Sequence, residues 1–314
     1  MSAVYRFGPI RLHATLDLPE LCRAAAGESP MVRVEQRDTI ERGTPSWYHV
    51  WVGTDGEDWL RIGRDAAGYR LEFPGLAEFA MSSDGRHVCG CARDASPETF
   101  RHLLLDQVMP LVLAHQGWCV LHAAAVAGPA GGAAFLGSTG QGKSTTAASL
   151  ALSGLAAITD DTLILTPGSG AGVTGHPAYA SLRMWPETAQ ALFGASYRHD
   201  GRVSEFNEKV RLGPAGGLEF VSAGTPLHAL YVLTPDANVE APRVEPIPPR
   251  DRVMEVVRHA FVLDWKEPER LRAAFDAVSR VVNQIAVRRL RFRHDYAELA
   301  ALRQVILGDL RQAA

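Results

Sequence analysis

Residues 137 to 144 read Gly137-Ser138-Thr139-Gly140-Gln141-Gly142-Lys143-Ser144 and fit the pattern GxxxxGK[ST] at every fixed position. The apolar run before them, residues 133–136, predicts a strand. The residues after them, 145–152, have the spacing of an amphipathic helix. A strand before and a helix after form the context in which this pattern binds phosphate, so the sequence predicts a P-loop rather than an incidental glycine-rich turn.

Each residue type in this loop has a physical role in holding a triphosphate. Glycines let backbone N–H groups turn toward the α- and β-phosphates, and the helix that starts here adds the positive end of its dipole. Lys143 is expected to reach the β- and γ-phosphates, and the Ser144 hydroxyl to coordinate Mg²⁺. The expected cofactors are therefore ATP and Mg²⁺. The expected nucleotide-binding residues are Gly137, Ser138, Thr139, Gly140, Gln141, Gly142, Lys143, Ser144 and Thr145.

Two adjacent acids, Asp160 and Asp161, follow the next apolar run, residues 156–159. A carboxylate that leaves a strand beside a P-loop is well placed to bind Mg²⁺. Neighbouring side chains on an extended backbone point to opposite faces, so the two acids are expected to differ in role. One would hold the metal while the other accepts the proton of an acceptor hydroxyl. A solvated Asp-Asp turn is the alternative interpretation.

Four further residues carry a charge or a titratable ring near these motifs. His122 lies on an apolar run, residues 118–126, that predicts one buried strand. On spacing alone it is either a satisfied core residue or part of a site. Arg183, Lys209 and Arg211 are cations that could balance the charge of a transferring phosphoryl group. Plain surface charge is the alternative for each of these three.

The composition is that of an ordinary globular chain. Of 314 residues, 46% are hydrophobic and 21% charged, and the net charge of −3 predicts no general affinity for nucleic acid or anionic membranes. No apolar run is long enough to cross a bilayer, and no secretory signal follows Met1, so we expect a cytoplasmic protein. The four cysteines are too few and too scattered for a disulfide framework, and we expect ordinary thiols.

The pattern of apolar residues and turns changes near residue 95. Before it, short alternating stretches separated by Gly- and Asp-containing turns predict a small antiparallel, meander-like sheet. After it, Ser96, Pro97 and Glu98 predict the start of a helix that ends at Gly117. We therefore predict an α/β fold with two domains, a β-rich domain over residues 1–95 and a P-loop domain over residues 96–314. In the second domain we expect strand hairpins around the P-loop and a polar, mobile loop over residues 195–208.

With these residues identified, the chain resembles the HPr kinase/phosphorylase-like family, relatives of the ATP-dependent phosphoenolpyruvate carboxykinases. The resemblance covers about residues 117–235 and rests on His122 before the P-loop, the P-loop itself and the Asp160-Asp161 pair. It implies a P-loop kinase core of that type. It also implies that Asp160 is the base that acts on an acceptor serine, that His122 assists it, and that Asp161 belongs to the Mg²⁺ shell.

Departures from the family pattern narrow the expected activity. Ser144 is followed by Thr145 and Thr146, where the HPr enzymes usually have an acid, and their Gly-Leu-Gly-Ile segment, tied to dephosphorylation, has no clear counterpart. Residues 181–186 and 209–212 look like those of divergent members found beside ribosomal-peptide tailoring genes. Some of these, in lasso-peptide pathways, phosphorylate a precursor serine. The resemblance thus implies a dedicated serine kinase that acts on a peptide or small protein, and it leaves a homo-oligomer open.

Two other functions remain open from the sequence. A small-molecule kinase for a sugar, a polyol or free serine would use the same phosphate-binding residues. A nucleotide-dependent regulatory module would bind ATP and phosphorylate no acceptor. Such a module needs no second acid beside the first, so the Asp160-Asp161 pair argues against it.

Overall fold

The computed structural model describes residues 2–25, 31–40, 43–53, 56–129, 131–168 and 172–313. Within these residues the chain forms three β-sheets together with α-helices, which confirms the predicted α/β class. None of the helices in these ranges is long and apolar enough to span a bilayer. All four cysteines are free thiols.

The first sheet is formed by the N-terminal part of the chain. Its strands are β1 (Ala3–Phe7), β2 (Ile10–Ala14), β3 (Val32–Gln36), β4 (Ser46–Val52), β5 (Asp58–Arg64), β6 (Gly68–Phe73), β7 (Ala77–Ser82) and β8 (His87–Ala92). They lie in the order β1-β2-β3-β8-β7-β6-β5-β4. The run from β4 to β8 is an antiparallel meander, as the turns predict. The sequence did not predict that β3 pairs in parallel with β2 and β8.

A helical stretch follows the first sheet. It consists of α1 (Pro97–His102), a π-helical segment (Leu103–Val108) and α2 (Met109–His115). The Ser96 hydroxyl caps it by accepting a hydrogen bond from the Thr99 N–H at 3.2 Å. Phe100, Leu104 and their apolar neighbours pack in one core with the inner face of the first sheet. Because this core crosses residue 95, the division of the chain at that position stays a prediction.

The rest of the chain builds two further sheets. Its strands are β9 (Cys119–Leu121), β10 (Ala123–Gly128), β11 (Gly131–Leu136), β12 (Ala156–Thr159), β13 (Leu163–Pro167), β14 (Val173–Pro177), β15 (Leu182–Met184), β16 (Arg202–Ser204), β17 (Asn207–Leu212), β18 (Thr225–Pro235), β19 (Arg243–Pro246) and β20 (Ala286–Phe292). Strands β15, β17 and β16 form a small third sheet, and the others form the central sheet.

Helices cover both faces of the central sheet, which explains why its strands read as apolar runs without alternation. The helices are α3 (Lys143–Ala151), α4 (Pro186–Phe193), α5 (Pro249–Val257), α6 (Pro268–Val282) and α7 (Leu299–Ala313). α3, α4 and α7 pack on one face, and α5 and α6 on the other. The hairpin β10–β11 leads into the predicted P-loop, while β11, β18 and β20 run parallel. The loop therefore leaves the carboxyl edge of the parallel strands, where ligands of such sheets bind.

Two sequence predictions in this part were wrong. The apolar run 118–126 is two strands, because β9 pairs with β13 whereas β10 pairs with β11 and β12, and the chain breaks between them at His122. Both pieces are buried, so hydrophobicity alone does not reveal the break. Residues 195–208 are not simply a loop: they contain β16 and the start of β17, which form a hairpin.

Candidate active site

The segment between β11 and α3 is shaped to present backbone N–H groups. Gly140 and Gly142 have φ angles of +83° and +91°, in the left-handed region that favours glycine. Gln141 Oε1 accepts a hydrogen bond from the Ser138 N–H at 2.7 Å, which holds the segment in a closed loop. α3 then begins at Lys143 without a side-chain cap. Its first N–H groups and the positive end of its dipole are thus available to an anion.

Lys143 lies inside this loop. Its Nζ donates to the carbonyl oxygen of Gly137 at 2.8 Å and contacts that of Ser138 at 3.3 Å. Burial lowers the pKa of Lys143, and the nearby charges of Asp161 and Asp160 oppose that shift. Carbonyl oxygens are weaker partners for an ammonium than a charged oxygen is. A phosphate that entered the loop would therefore offer Lys143 a better partner than it has now.

Asp160 is buried beneath the loop, next to the first turn of α3. Its Oδ1 accepts a hydrogen bond from the Ser144 hydroxyl at 2.8 Å, and its Oδ2 accepts one from the Arg183 N–H at 2.8 Å. Burial, and then the charge of Asp161, raise the pKa of Asp160 to about 6. Mg²⁺ prefers oxygen ligands and is commonly held by one or two protein oxygens together with substrate phosphates. The adjacent oxygens of Ser144 and Asp160 fit that ion.

Asp161 has different surroundings. Its Oδ2 pairs with Arg183 at 2.7 Å, and His122 Nδ1 lies 3.2 Å from its carbonyl oxygen and 3.7 Å from its Oδ1. Burial favours a raised pKa, but the charge of Arg183, together with those of Lys209 and Lys143, outweighs it and holds the pKa of Asp161 well below its usual range. The Asp161 side chain is 26% exposed, whereas Asp160 is 3% exposed. Asp161 is therefore the carboxylate of the pair that a bound molecule can reach.

This arrangement differs from the one that the family resemblance implies. The resemblance places His122 beside Asp160 and the metal beside Asp161, whereas the structure places His122 beside Asp161 and Ser144 beside Asp160. The physical reason is the backbone at Asp161, which has a φ of +62°, a value that non-glycine residues rarely adopt. The chain is not extended there, so the spacing of two adjacent acids does not tell which one faces the loop.

His122 occupies the break between β9 and β10. Its backbone N–H donates to the His259 carbonyl oxygen at 2.8 Å. Burial lowers the pKa of its ring, so the ring is neutral at pH 7. Since Nδ1 faces the carbonyl oxygen of Asp161, Nδ1 carries the hydrogen and Nε2 is left as an acceptor. His122 therefore helps to fix the unusual backbone of Asp161.

A buried acid that the sequence analysis missed, Asp106, holds Arg183 in place. It lies in the π-helical segment, where it receives hydrogen bonds from His102 Nδ1 at 2.7 Å and from the Tyr179 hydroxyl at 2.6 Å. Arg183 NH1 pairs with Asp106 Oδ2 at 2.9 Å. Burial opposes ionisation, yet Arg183 and His102 hold the pKa of Asp106 below its usual range. Arg183 thus bridges two carboxylates, Asp106 on one side and Asp161 on the other.

His122, Lys143, Ser144, Asp161 and Arg183 line one cleft of about 560 Å³, called the main cleft below, and Asp106 and Asp160 lie behind its wall. Its volume is in the range of small-molecule sites. Lys143, Ser144, Asp161, Arg183 and Lys209 line its middle. One end, the α7 end, is lined by Thr188, Phe292, His294, Asp295, Tyr296 and Leu299. The other, the aromatic end, is lined by Trp59, His102, Gln107, Val203, Phe206 and Asn207.

The three cations that the sequence singled out are not equivalent. Arg183 and Lys209 line the main cleft, and Lys209 Nζ lies 5.7 Å from the centre of the Trp185 ring. Arg211 does not line it. Its guanidinium pairs with Glu20 at 3.0 Å, and Arg101 pairs with the same carboxylate at 2.9 Å. The structure therefore places Arg211 in a link between the third sheet and the N-terminal segment, away from the expected position beside a phosphoryl group.

Comparisons with known proteins find matches among solved structures. No protein-family model matches the chain, and no curated protein matches it. The solved structure of the Hpr(Ser) kinase/phosphatase from Coxiella burnetii is similar over 60% of this chain and 89% of that chain, with a TM-score of 0.31 and 13% sequence identity. A likeness at this level does not establish an activity.

Proposed function

We propose that this chain is a Mg²⁺- and ATP-dependent kinase that phosphorylates a serine hydroxyl of a peptide or small protein. The observation that carries the proposal is Asp161, an accessible carboxylate fixed by Arg183 in the same cleft as Lys143 and Ser144. A protein that only binds nucleotide has no need for a fixed acceptor-facing base beside a phosphate loop. From the motifs we further propose a P-loop core of the HPr-kinase type with a β-rich N-terminal domain, a cytoplasmic location, and a ribosomally made precursor peptide as the first acceptor to test.

The main cleft suggests how ATP would lie. The triphosphate would occupy the loop, where N–H groups, the α3 dipole and Lys143 meet. The base would extend to the α7 end, which carries the rings of Phe292, His294 and Tyr296. His294 is close to the loop, since a Cβ at Gly142 would lie 3.4 Å from His294 Nε2. This leaves the aromatic end of the cleft for the acceptor.

In the proposed reaction the serine hydroxyl is hydrogen-bonded to Asp161. The hydroxyl oxygen forms a bond to the γ-phosphorus, the bond between that phosphorus and the β,γ-bridging oxygen breaks, and Asp161 takes the hydroxyl proton. The products are phosphoserine and ADP, and the proton passes to solvent. Because phosphoryl transfer has a loose transition state, the hydroxyl loses its proton late, and an ionised carboxylate of low pKa is sufficient to orient it.

Cations fixed along the cleft would stabilise the transferring group. Lys143 and Lys209 can place positive charge beside its equatorial oxygens, while Arg183 holds Asp161 in position. Ser144 and Asp160 would hold Mg²⁺, which when bound supplies positive charge to the β- and γ-phosphate oxygens. His122, neutral at pH 7, would keep the Asp161 backbone in its left-handed conformation.

The test is phosphorylation with γ-labelled ATP and Mg²⁺, with peptides encoded beside the gene, free serine and a panel of polyols as acceptors. We expect label on a peptide serine. Asp161→Asn should lower the transfer rate by about 10²–10⁴-fold, the usual loss for a general base, with little change in Mg²⁺·ADP affinity. Asp160→Asn should abolish the gain in ADP affinity that Mg²⁺ provides. Asp276→Asn, an exposed position on α6, is the matched control.

Each other outcome assigns a different function. Label only on a polyol or on free serine would identify a small-molecule kinase. Tight Mg²⁺·ATP binding with no labelled acceptor would identify a regulatory module. If Asp160→Asn abolished transfer and kept Mg²⁺·ADP affinity while Asp161→Asn weakened metal binding, Asp160 would be the base, as the family resemblance implies.

A further inference from the structure

We propose that the aromatic end of the main cleft binds an apolar side chain of the acceptor peptide, within about four residues of the phosphorylated serine. The inference rests on the proposed function, because it takes Asp161 as the place where the serine hydroxyl lies. It goes further by assigning a sequence preference to the acceptor and a binding role to the first sheet.

Two rings from distant parts of the chain form this end. Trp59 comes from β5 of the first sheet, and Phe206 from the turn between β16 and β17. Their ring centroids are 4.6 Å apart in an edge-on arrangement, and Phe73 supports Trp59 from behind at 5.7 Å. Phe206 is still 38% exposed. An aromatic face left open inside a cleft gains free energy when an apolar group covers it.

The polar groups at this end fit a peptide better than a charged ligand. Among its described lining residues none is Asp, Glu, Lys or Arg, and the Nδ1 of His102 is already engaged with Asp106. Gln107 is half-buried, and its carboxamide has no hydrogen bond to any described residue. A carboxamide both donates and accepts, as a peptide group does. An apolar side chain beside the rings, with its backbone near Gln107, would satisfy both features.

A continuous set of contacts joins the aromatic end to Asp161. The Phe206 and His102 ring centroids are 5.6 Å apart, and His102 contacts Asp106 at 2.7 Å. Asp106 contacts Arg183 at 2.9 Å, and Arg183 contacts Asp161 at 2.7 Å. An extended peptide advances by roughly 3.3–3.6 Å per residue. Phe206 and Asp161 both line the main cleft, so one extended peptide can place a serine at Asp161 and a neighbouring side chain at Phe206.

A second cleft, of about 550 Å³, does not offer the same path. It is lined by Trp51, Phe261, Trp265 and the start of the loop, and it shares His122 with the main cleft. Asp161 lines the main cleft and does not line the second one. A hydroxyl that reaches Asp161 therefore lies in the main cleft, and the aromatic end is an apolar subsite of that same cleft.

The test measures peptide binding separately from transfer. A library of octapeptides with one fixed serine and the other positions randomised is selected on the immobilised full chain with Mg²⁺·ADP. We expect enrichment of Leu, Ile, Phe or Trp at one position within about four residues of the serine. Phe206→Ala should weaken the enriched peptides about tenfold in titration calorimetry, since a well-packed ring is worth that much or more. Gln107→Ala should also weaken them, and the matched control Phe275→Ala, on the exposed face of α6, should not.

The outcomes separate this inference from the proposed function. Enrichment of charged residues, no enrichment at all, or an apolar preference that Phe206→Ala leaves unchanged would each overturn the subsite. Binding of a free polyol that depended on Phe206 would also overturn it. Phe206-dependent peptide binding without transfer of label would retain the subsite and reject the kinase. Labelled peptides without an apolar preference would retain the kinase and reject the subsite.

Discussion

Asp106 provides the sharpest test of how the site is held together. The Asp106→Asn substitution keeps the size of the side chain and removes its charge. In the structure Asp106 and Arg183 are 1% and 3% exposed at the side chain, and the guanidinium reaches Asp106 at 2.9 Å and Asp161 at 2.7 Å. The substitution therefore leaves a buried guanidinium with one of its two carboxylate partners.

Two effects follow, with different magnitudes. Breaking a buried ion pair by removing one charge costs about 3–5 kcal/mol, and the hydrogen bonds that Asn retains place the expected loss near about 3 kcal/mol. With a urea slope of about 3 kcal/mol per molar for a chain of this size, the unfolding midpoint should fall by about 1 M. A guanidinium anchored at one end also lets Asp161 shift, and a displacement of about 1 Å can cost about 10²-fold in rate.

The assay is urea unfolding together with steady-state kinetics on the labelled acceptor. We expect kcat to fall by about 10–10²-fold, with KM for ATP nearly unchanged, because the described side-chain partners of Asp106 are His102, Tyr179 and Arg183, outside residues 137–144. Glu20→Gln is the matched control: the side chain of this acid is 8% exposed and pairs with two arginines, Arg101 and Arg211, but it does not line the main cleft. It should lose stability and keep kcat. If Asp106→Asn kept its midpoint and its kcat, or if both variants lost kcat equally, the bridging role of Arg183 would be refuted.

Two further predictions concern single side chains. Burial lowers the pKa of His259 to about 4. Between pH 6.5 and pH 4 the unfolded chain therefore binds a proton at this residue that the folded chain does not. The contribution of neutral His259 to the free energy of unfolding is thus fully present above pH 6.5 and is lost as the pH falls through this range. Urea midpoints at pH 7 and pH 5 should therefore differ less in His259→Gln than in the unsubstituted chain, and an equal difference would contradict the assignment. Lys209 lines the main cleft, so Lys209→Gln should lower the transfer rate by about tenfold without loss of stability. Arg211 pairs with Glu20 instead, so Arg211→Gln should lower stability and leave the transfer rate unchanged. The reverse pattern would show that Arg211, and not Lys209, acts on the transferring group.

Local patterns in the sequence were sufficient for the loop and its flanks. The pattern at residues 137–144 needs only a strand, glycines with positive φ and a helix, and the structure provides β11, Gly140, Gly142 and α3 in that order. The helix cap at Ser96 could also be predicted from the sequence, because a capping side chain binds a backbone N–H only three residues further along the chain. The residues that form these features lie within a few positions of each other, so their spacing in the sequence predicts which of them are in contact.

The contacts around Asp161 could not be read in the same way. Which acid faces Ser144 depends on one φ angle, and the fate of Arg211 depends on Glu20, 191 residues away in the chain. Asp106 did leave a trace. It is an acid that directly follows Leu103-Leu104-Leu105 within a predicted helix, with His102 one turn before it. A charged residue that is buried needs a partner, but the sequence does not show that Asp106 is buried or that Arg183 is its partner.

The position of Asp106 bears on the role of the first sheet. The helical stretch that carries it packs its apolar side in the core of that sheet, while Asp106 itself reaches Arg183 on β15. Trp59 of the same sheet forms a wall of the main cleft. The first sheet thus meets the cleft twice, through the Trp59 ring at the aromatic end and through the Asp106 charge that holds Arg183 against Asp161. Burying that charge costs free energy that an apolar side chain would not. A buried Asp106 is understandable if the orientation of Asp161 depends on the Asp106 carboxylate. Substitutions in the core between the first sheet and α1 would shift Asp106, so they should alter kcat as well as stability.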